Sequence, residues 1–369
     1  MTEFNPDRIS LALSCLGWTQ KELAMRAGMA PARITDLKTG RHTFTEQIAE
    51  QISFITGFPI TFFMMSGEQL PINQLTFRKQ TGMGKTPLNQ VIGEFTLLSE
   101  SVTTLTGMAS GITDWHWIDM ISPRSTPRLN DVERITQDVR ACWNVSEHGP
   151  IRNITRSLER SGIVTAPLTA PVHDAKGDGI TRPGETGAEP IIGYLPGDKT
   201  GDRLRFTLAH ELGHLILHRH RIPSTRQLAE QEANIFAGAL LFPREDALAS
   251  IRPNTTLDEY AYMKGGWGMS IAALIMRSAN LGIISPERKR SLNIQRSNRG
   301  WRVHEPVHVP MEHPILLKQM VAAAFGDSTD YAHPVVGKES LEGFLGIPFE
   351  MINGWCANTL TAKDSSALV

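Results

Sequence analysis

The stretch Arg203 to His218, RLRFTLAHELGHLILH, is the feature that most limits what this chain can fold into. Leu204, Leu208, Leu212, Leu215 and Ile216 recur at helical spacing and predict a helix with buried flanks. Asp202, preceded by Gly201, reads as its N-cap. At the centre stands His210-Glu211-Leu212-Gly213-His214. Residues four apart lie one above the other on a helix face, about 6 Å along the axis, so both imidazoles can grip one metal ion. Glu211 projects beside them. A Zn²⁺ held by neutral imidazoles lowers the pKa of its bound water to about 7, and an adjacent carboxylate can take that proton as general base. Gly213 costs roughly 1 kcal/mol relative to Ala in a helix interior. That cost predicts a packing role, in which Gly213 lets another backbone come close to the metal.

Catalytic zinc takes three protein ligands and keeps one position open. The segment Gln227 to Pro243, QLAEQEANIFAGALLFP, predicts a second helix ended by Pro243, with an apolar stripe of Leu228, Ile235, Phe236, Ala239 and Leu240. Glu232 falls on that stripe, and a carboxylate facing a core is costly unless it is paired or on a metal. Glu230 points about 200° away on the helical wheel and reads as solvated. His220 is the alternative third ligand, but Leu217 stands where the corresponding longer zinc motif has a turn-forming Gly. His218 lies about 12 Å along the axis from His210 and reads as a helix C-terminal cap.

The run DRLRFTLAHELGHLILH followed by EQEANIFAGALLFP resembles the ImmA/IrrE family of bacterial metallopeptidases. WGMSIAALIMRSANLGIIS and RGWRVHEP resemble the segment after the peptidase core in longer members that carry an N-terminal helix-turn-helix. The resemblance covers most of the chain. It implies a zinc endopeptidase in which His210, His214 and Glu232, the glutamate of the E-A-N triplet, bind the metal and Glu211 is the general base. It also implies limited proteolysis of a transcriptional repressor as the protein substrate, in stress responses or on mobile elements.

Residues 5 to 65 read as five short helices. The clearest are Thr19 to Ala27 and Pro31 to Thr39, separated by Gly28-Met29-Ala30 and closed by Gly40. Thr19 caps the first of these helices and Glu22 completes a capping box. Leu23, Ala24, Ile34 and Leu37 then pack the pair together. The order of residues resembles the helix-turn-helix of the XRE or Cro repressor family. That resemblance places Ala32, Arg33, Thr35 and Lys38 towards DNA bases or phosphates, with Gln20 and Arg41 towards the backbone, and implies a homodimer on a pseudo-palindromic operator. Met1 to Thr45 holds six Lys or Arg against four Asp or Glu. Phosphate contacts dominate DNA affinity, so this small excess predicts weak or dimer-dependent binding.

Gly84-Lys85-Thr86 imitates the end of a phosphate-binding loop, but the required earlier glycine is Lys79, and nucleotide binding is excluded. Residues 88 to 147 carry helical spacing with a break from Ser122 to Pro127, and Trp115, Trp117 and Trp143 read as core or interface anchors. A helix from Ile151 to Arg160, an extended Ile163 to Ala166, a short strand near Ile180 within the loop Thr169 to Glu189, and a strand from Ile191 to Leu195 complete the approach to the metal helix. An edge strand there would receive an extended peptide as an added strand. Beyond Pro243, helices are expected at Leu257 to Lys264, Ser270 to Leu281, Pro286 to Ile294, near Pro314 to Phe325 and at Lys338 to Leu345. The closing TAKDSSALV reads as frayed. His304, His308 and His313 sit among Pro306, Pro310 and Pro314 and do not form one helical face.

The fold class expected is mainly α with a small α+β core. Five segments follow: 1–70 helix-turn-helix, 71–148 helical connector, 149–246 zincin-like peptidase core, 247–300 helical extension, 301–369 C-terminal helical domain. A formal charge of -1 gives no global field for nucleic acid, so DNA contact must be local. Cys15, Cys142 and Cys356, odd in number and widely spaced, fit a reducing cytosol. The N-terminus has no basic and apolar leader, and the apolar run Ile52 to Met65 is broken by Gly57 and Pro59, so a cytoplasmic protein is expected. The rival functions are a metal-binding DNA regulator without proteolysis and an antitoxin-like or phage-related interaction protein. Glu211 separates them, because a structural zinc site takes four protein ligands and needs no general base.

Overall fold

Capping groups set several helix boundaries in the computed structural model, which describes residues 4–76, 84–108, 114–171, 179–184, 187–197, 199–326 and 333–363. In chain order the helices are α1 (Asp7–Leu16), α2 (Gln20–Arg26), α3 (Pro31–Lys38), α4 (Glu46–Thr56), α5 (Lys85–Met108), α6 (Trp117–Ile121), α7 (Leu129–Cys142) and α8 (Ile154–Arg160). They continue with α9 (Gly201–Leu217), α10 (Arg226–Leu241), α11 (Arg244–Ser250), α12 (Leu257–Trp267), α13 (Ile271–Asn280), α14 (Pro286–Asn298), α15 (Leu316–Phe325), α16 (Lys338–Leu345) and α17 (Phe349–Trp355). The strands are β1 (Val164–Pro167), β2 (Gly179–Thr181), β3 (Ile191–Tyr194), β4 (Val335–Gly337) and β5 (Thr361–Lys363). The protein is mainly α-helical with little sheet. No helix among the described residues is long and apolar enough to cross a membrane.

The chain divides into two compact units, each assembled from separated segments: residues 1–112, 164–177 and 314–369 in one, 113–163 and 178–313 in the other. The segments read from the sequence follow the chain, whereas these units close on distant stretches of it.

In the first unit, α2 opens as its sequence dictates. The Thr19 hydroxyl accepts the Glu22 N–H at 3.2 Å and the Glu22 carboxylate accepts the Thr19 N–H at 2.6 Å. Leu23, Ala24, Ile34 and Leu37 are all fully buried, which locks α2 against α3. Gly28 and Gly40 take left-handed backbone (φ +59° and +70°) at the turns that follow. The fifth short helix expected before residue 65 is instead a 3₁₀ turn, Ile60–Met64. Gly57 and Pro59 leave it five residues, too few to offset the nucleation cost of an α-helix.

Helix α5 runs through the middle of this unit, buried from Leu88 to Leu105 along most of its length. Its Glu94 accepts hydrogen bonds from the Thr169 N–H (2.6 Å) and hydroxyl (2.7 Å), the Ala170 N–H (2.6 Å) and the Trp355 indole (2.8 Å). Burial pushes this carboxyl above its ordinary pKa, and the four donors work against that shift. One side chain thus ties three separate stretches of chain together. Lys85 and Thr86 open α5, while residues 77–83, with Lys79, lie outside the described residues. The C-terminal part adds a helix, α17, and a parallel β4–β5 pair that hydropathy did not reveal. Thr361 to Lys363 form β5, which corrects the frayed reading for those residues, and 364–369 lie outside the described residues.

The second unit is built on α9 and α10. Leu204, Leu208, Leu212, Leu215 and Ile216 are buried in one apolar cluster with Phe236, Leu240, Leu241, Leu274 and Trp117. The remaining helices α6–α8 and α11–α14 belong to this unit, with Trp117 donating its indole N–H to the Ser161 carbonyl at 2.8 Å. Strands β2 and β3 pair antiparallel, Gly179 opposite Tyr194 and Thr181 opposite Ile192. The helix start differs from expectation. Thr200, in extended conformation, is the N-cap of α9, and Asp202 lies inside the first turn with its carboxylate 3.1 Å from Lys264 Nζ. Asp202 is 2% exposed, and the ion pair is what makes that burial tolerable.

Candidate metal centre

Helix α9 stacks His210, His214 and His218 on one face, with ring centroids 4.8 and 4.9 Å apart. The Nε2 atoms of His210 and His214 are 3.1 Å apart. Helix α10 packs across this face, and Gly213 sets how closely. A Cβ at Gly213 would lie 3.2 Å from Ala233 Cα and 3.1 Å from the Phe236 ring, so the backbone of α10 occupies the space a side chain would need. This is the packing role expected of Gly213. Overpacking there costs about 1–3 kcal/mol, against the roughly 1 kcal/mol that Ala gains in helix propensity.

That approach carries Glu230 and Asn234, one turn apart on α10, to the histidine pair. Glu230 Oε2 is 3.5 Å from His210 Nε2 and Oε1 is 3.9 Å from His214 Nε2. Asn234 Oδ1 lies 3.2 Å from His210 Nδ1, so the ring donates there and turns Nε2 towards Glu230. The solvated reading of Glu230 is therefore corrected: its side chain is only 15% exposed. Glu232, expected as the third ligand, is buried but turned elsewhere. Its Oε2 is 3.0 Å from His218 Nε2 and is also contacted by the Arg221 guanidinium. Helix α10 is enclosed on more than one side, so burial alone does not tell which of its glutamates meets the histidine pair. The direction of deepest burial, which Glu232 takes, leads to the C-terminal end of α9 and not to the His210–His214 pair.

His210, His214 and Glu230 bring ligand atoms within 4.8 Å of one another. Tetrahedral zinc ligands at about 2.0–2.1 Å from the ion stand roughly 3.3 Å apart. The nitrogen–nitrogen separation of 3.1 Å and the shorter nitrogen–oxygen separation of 3.5 Å fit that span. Two imidazoles and a carboxylate are also the borderline donors that suit zinc. His220 is apart from this cluster, with Nε2 3.7 Å from the Asp119 carboxylate. His218 is the C-cap residue of α9, as expected, and stays outside the triad.

The field around the triad is divided. For His210, burial acts to lower the pKa, but the Glu230 hydrogen bond and the charges of Glu211 and Glu230 outweigh it and the net shift is upward. For His214, burial and the neighbouring His210 and His218 push the pKa well down, which keeps this ring neutral. Burial also lowers His218, against the pull of Glu232.

Glu211 is 4% exposed and packs on the start of β2. A Cβ on Gly179 would come within 2.6 to 2.8 Å of the Glu211 Cγ, Cδ and Oε1 atoms, so only glycine leaves this carboxyl its place. Gly179 was not read as a site residue. Its one signal in the sequence is a glycine at the mouth of a short strand, which marks close approach of another group. No described strand pairs with the side of β2 away from β3. A cleft of about 720 Å³ runs beside Glu230 and Asn234, lined among others by Phe206, Thr207, Ile235 and Met276.

The residues read towards DNA all lie in the first unit. Ala32, Thr35 and Arg41 are exposed, and Gln20, Arg33 and Lys38 are half-buried. The Thr35 hydroxyl donates to Gln20 Oε1 at 3.3 Å, Arg33 pairs with His42, and Arg41 lies 3.8 Å from Asp36.

No curated protein matches the chain. Residues 158–278, which hold α9, α10 and nearly all of α13, match the family model of the IrrE N-terminal-like domain, Peptidase M78, and this supports a metallopeptidase-family domain in that segment.

Proposed function

We propose that the protein is a zinc-dependent endopeptidase with His210, His214 and Glu230 as metal ligands and Glu211 as general base. The observation that carries this reading is the convergence of two imidazole nitrogens and a carboxylate on one point, with the charge of Glu211 acting on His210 and its carboxyl packed where a Cβ on Gly179 would lie. Bound there, zinc would supply Lewis acidity that makes water nucleophilic near neutral pH. Glu211 takes the proton from that water as its oxygen bonds to the scissile carbonyl carbon, and returns it to the amide nitrogen as the C–N bond breaks. The open side of β2 lines up an extended peptide through backbone hydrogen bonds. The cleft beside Glu230 then receives an apolar side chain against Phe206, Ile235 and Met276.

The substrate class we favour is a transcriptional repressor, and the N-terminal residues 1–70 bind operator DNA as a helix-turn-helix, with α3 in the major groove. Support for this half is local: the capping box, the buried contact between α2 and α3, and the exposed Thr35 and Arg41 beside Lys38 and Arg33. The test of the peptidase reading is Glu211→Gln. The amide still hydrogen-bonds water but cannot accept its proton, so cleavage should fall by roughly 100- to 10,000-fold while zinc content stays unchanged. Wild type and variant are loaded with zinc and incubated with a peptide library and with repressors encoded beside the gene, the products being read by mass spectrometry. Equal cleavage by both proteins would refute the role of Glu211, and a wild type that cuts nothing would favour a metal-binding regulator.

A further inference from the structure

Glu232 and His218 are buried polar groups for which zinc binding by His210, His214 and Glu230 leaves no direct part. Their side chains are 7% and 4% exposed. Glu232 Oε2 lies 3.0 Å from His218 Nε2, and a carboxylate only accepts, so the proton is on His218 Nε2. The Arg221 guanidinium contacts the same Glu232 oxygen and holds the carboxylate against His218. A neutral imidazole with its proton on Nε2 offers a lone pair at Nδ1. That atom faces His214 Nδ1 at 2.9 Å, which makes His214 the donor and places its proton on Nδ1. The lone pair of His214 is thereby fixed on Nε2. The partner His210 donates from Nδ1 to Asn234 Oδ1, which turns its Nε2 towards Glu230 and towards His214 Nε2, 3.1 Å away.

We propose that Arg221, Glu232 and His218 form a positioning chain that fixes the tautomer and orientation of His214, so that its Nε2 is the metal-binding atom. This rests on the metal centre argued above. It gives Glu232 a part in metal binding without making it a ligand. It also explains why α10 carries two buried or half-buried glutamates two residues apart, one turned to the His210–His214 pair and the other to His218.

The test measures zinc affinity by competition with a chromophoric chelator on the full chain, with circular dichroism confirming the fold. His218→Phe and Glu232→Leu keep the volume and remove the chain. Each should weaken zinc binding by roughly 10- to 100-fold, the usual effect of losing a group that orients a ligand, while still reaching about one zinc per chain at saturation. The double variant should be no weaker than the worse single variant, because both act through one chain. Unchanged affinity in either single variant, or additive losses in the double, overturns the proposal. A Glu232→Leu protein that takes up no zinc at saturation overturns it too, since Glu232 would then be a ligand. Wild type that binds no zinc overturns the metal centre itself, and is distinguished from the other outcomes by that fact. Independently of metal and of the variants, ring ¹⁵N shifts of histidine-labelled apoprotein should show His214 protonated at Nδ1 and His218 at Nε2. The opposite tautomers would contradict the chain.

Discussion

The α9–α10 pair and the α2–α3 pair both carry short sequence motifs, and they ask opposite things of their side chains. A metal centre needs donors that converge inward, and the fold either gathers them or does not. His210, His214 and Glu230 are gathered to within 4.8 Å. A DNA-reading helix would need donors that diverge outward; Thr35 and Arg41 stand exposed, Thr35 donating to Gln20 and Arg41 lying beside Asp36. The fold itself gathers the first kind of site. For the second it builds the scaffold, the buried Leu23, Ala24, Ile34 and Leu37.

The prediction with the largest effect strikes at the convergent site without touching a ligand. Gly179→Ala places a methyl where the Glu211 carboxyl now lies, closer than 3 Å to three of its atoms. Displacing a general base by about 1 Å can cost on the order of 100-fold, so peptide cleavage should fall by about that factor while zinc content holds. Loss of zinc along with activity would mean that Gly179 supports the fold of the metal site and not the base. Next comes the divergent site. Arg33→Ala with Lys38→Ala in the full chain should weaken operator binding by roughly 10- to 100-fold in a gel shift, with a shallower dependence on salt. Binding unchanged by both substitutions would leave α2–α3 as a protein-interaction module.

The smallest effect concerns the rim of the second unit. Arg219 donates to the Asp119 carboxylate at 2.8 Å, and this hydrogen bond, followed by the charge of Arg219, holds Asp119 below its ordinary pKa. A carboxyl depressed in the folded state stabilises it above the unfolded pKa, about 3.9, and the contribution is lost as pH falls through the folded value. Asp119 is partly exposed, so the effect is modest. The Tm gap between wild type and Asp119→Asn should be constant from neutral pH to about 5 and close on further acidification. A gap that widens with acid would show that the pair does not depress Asp119.

Much of the architecture is legible in the sequence, and the physical reason differs from place to place. The caps and periodicity of α2, α9 and α10 are local, and local signals survive without knowledge of the fold. Gly213 was legible as a packing residue because a glycine inside a helix costs stability that something must offset. The choice between Glu230 and Glu232 was not legible. A helical wheel knows one buried side, and α10 has α9's His210–His214 face on one hand and His218 with Arg221 on the other. The place of Gly179 was hidden for a related reason, since it depends on a strand 32 residues before Glu211 folding back onto it. The two-unit division was hidden too, because Glu94 meets Thr169 and Trp355 only in three dimensions.

The central claim is the identity of the third ligand, and crystals of the zinc-loaded protein measured at the zinc absorption edge test it most directly. The account predicts one anomalous peak per chain bonded to His210 Nε2, His214 Nε2 and a Glu230 oxygen at about 2.0–2.2 Å, with Glu232 still on His218 and Arg221. A peak bonded to Glu232, or no peak at the histidine pair, would contradict it.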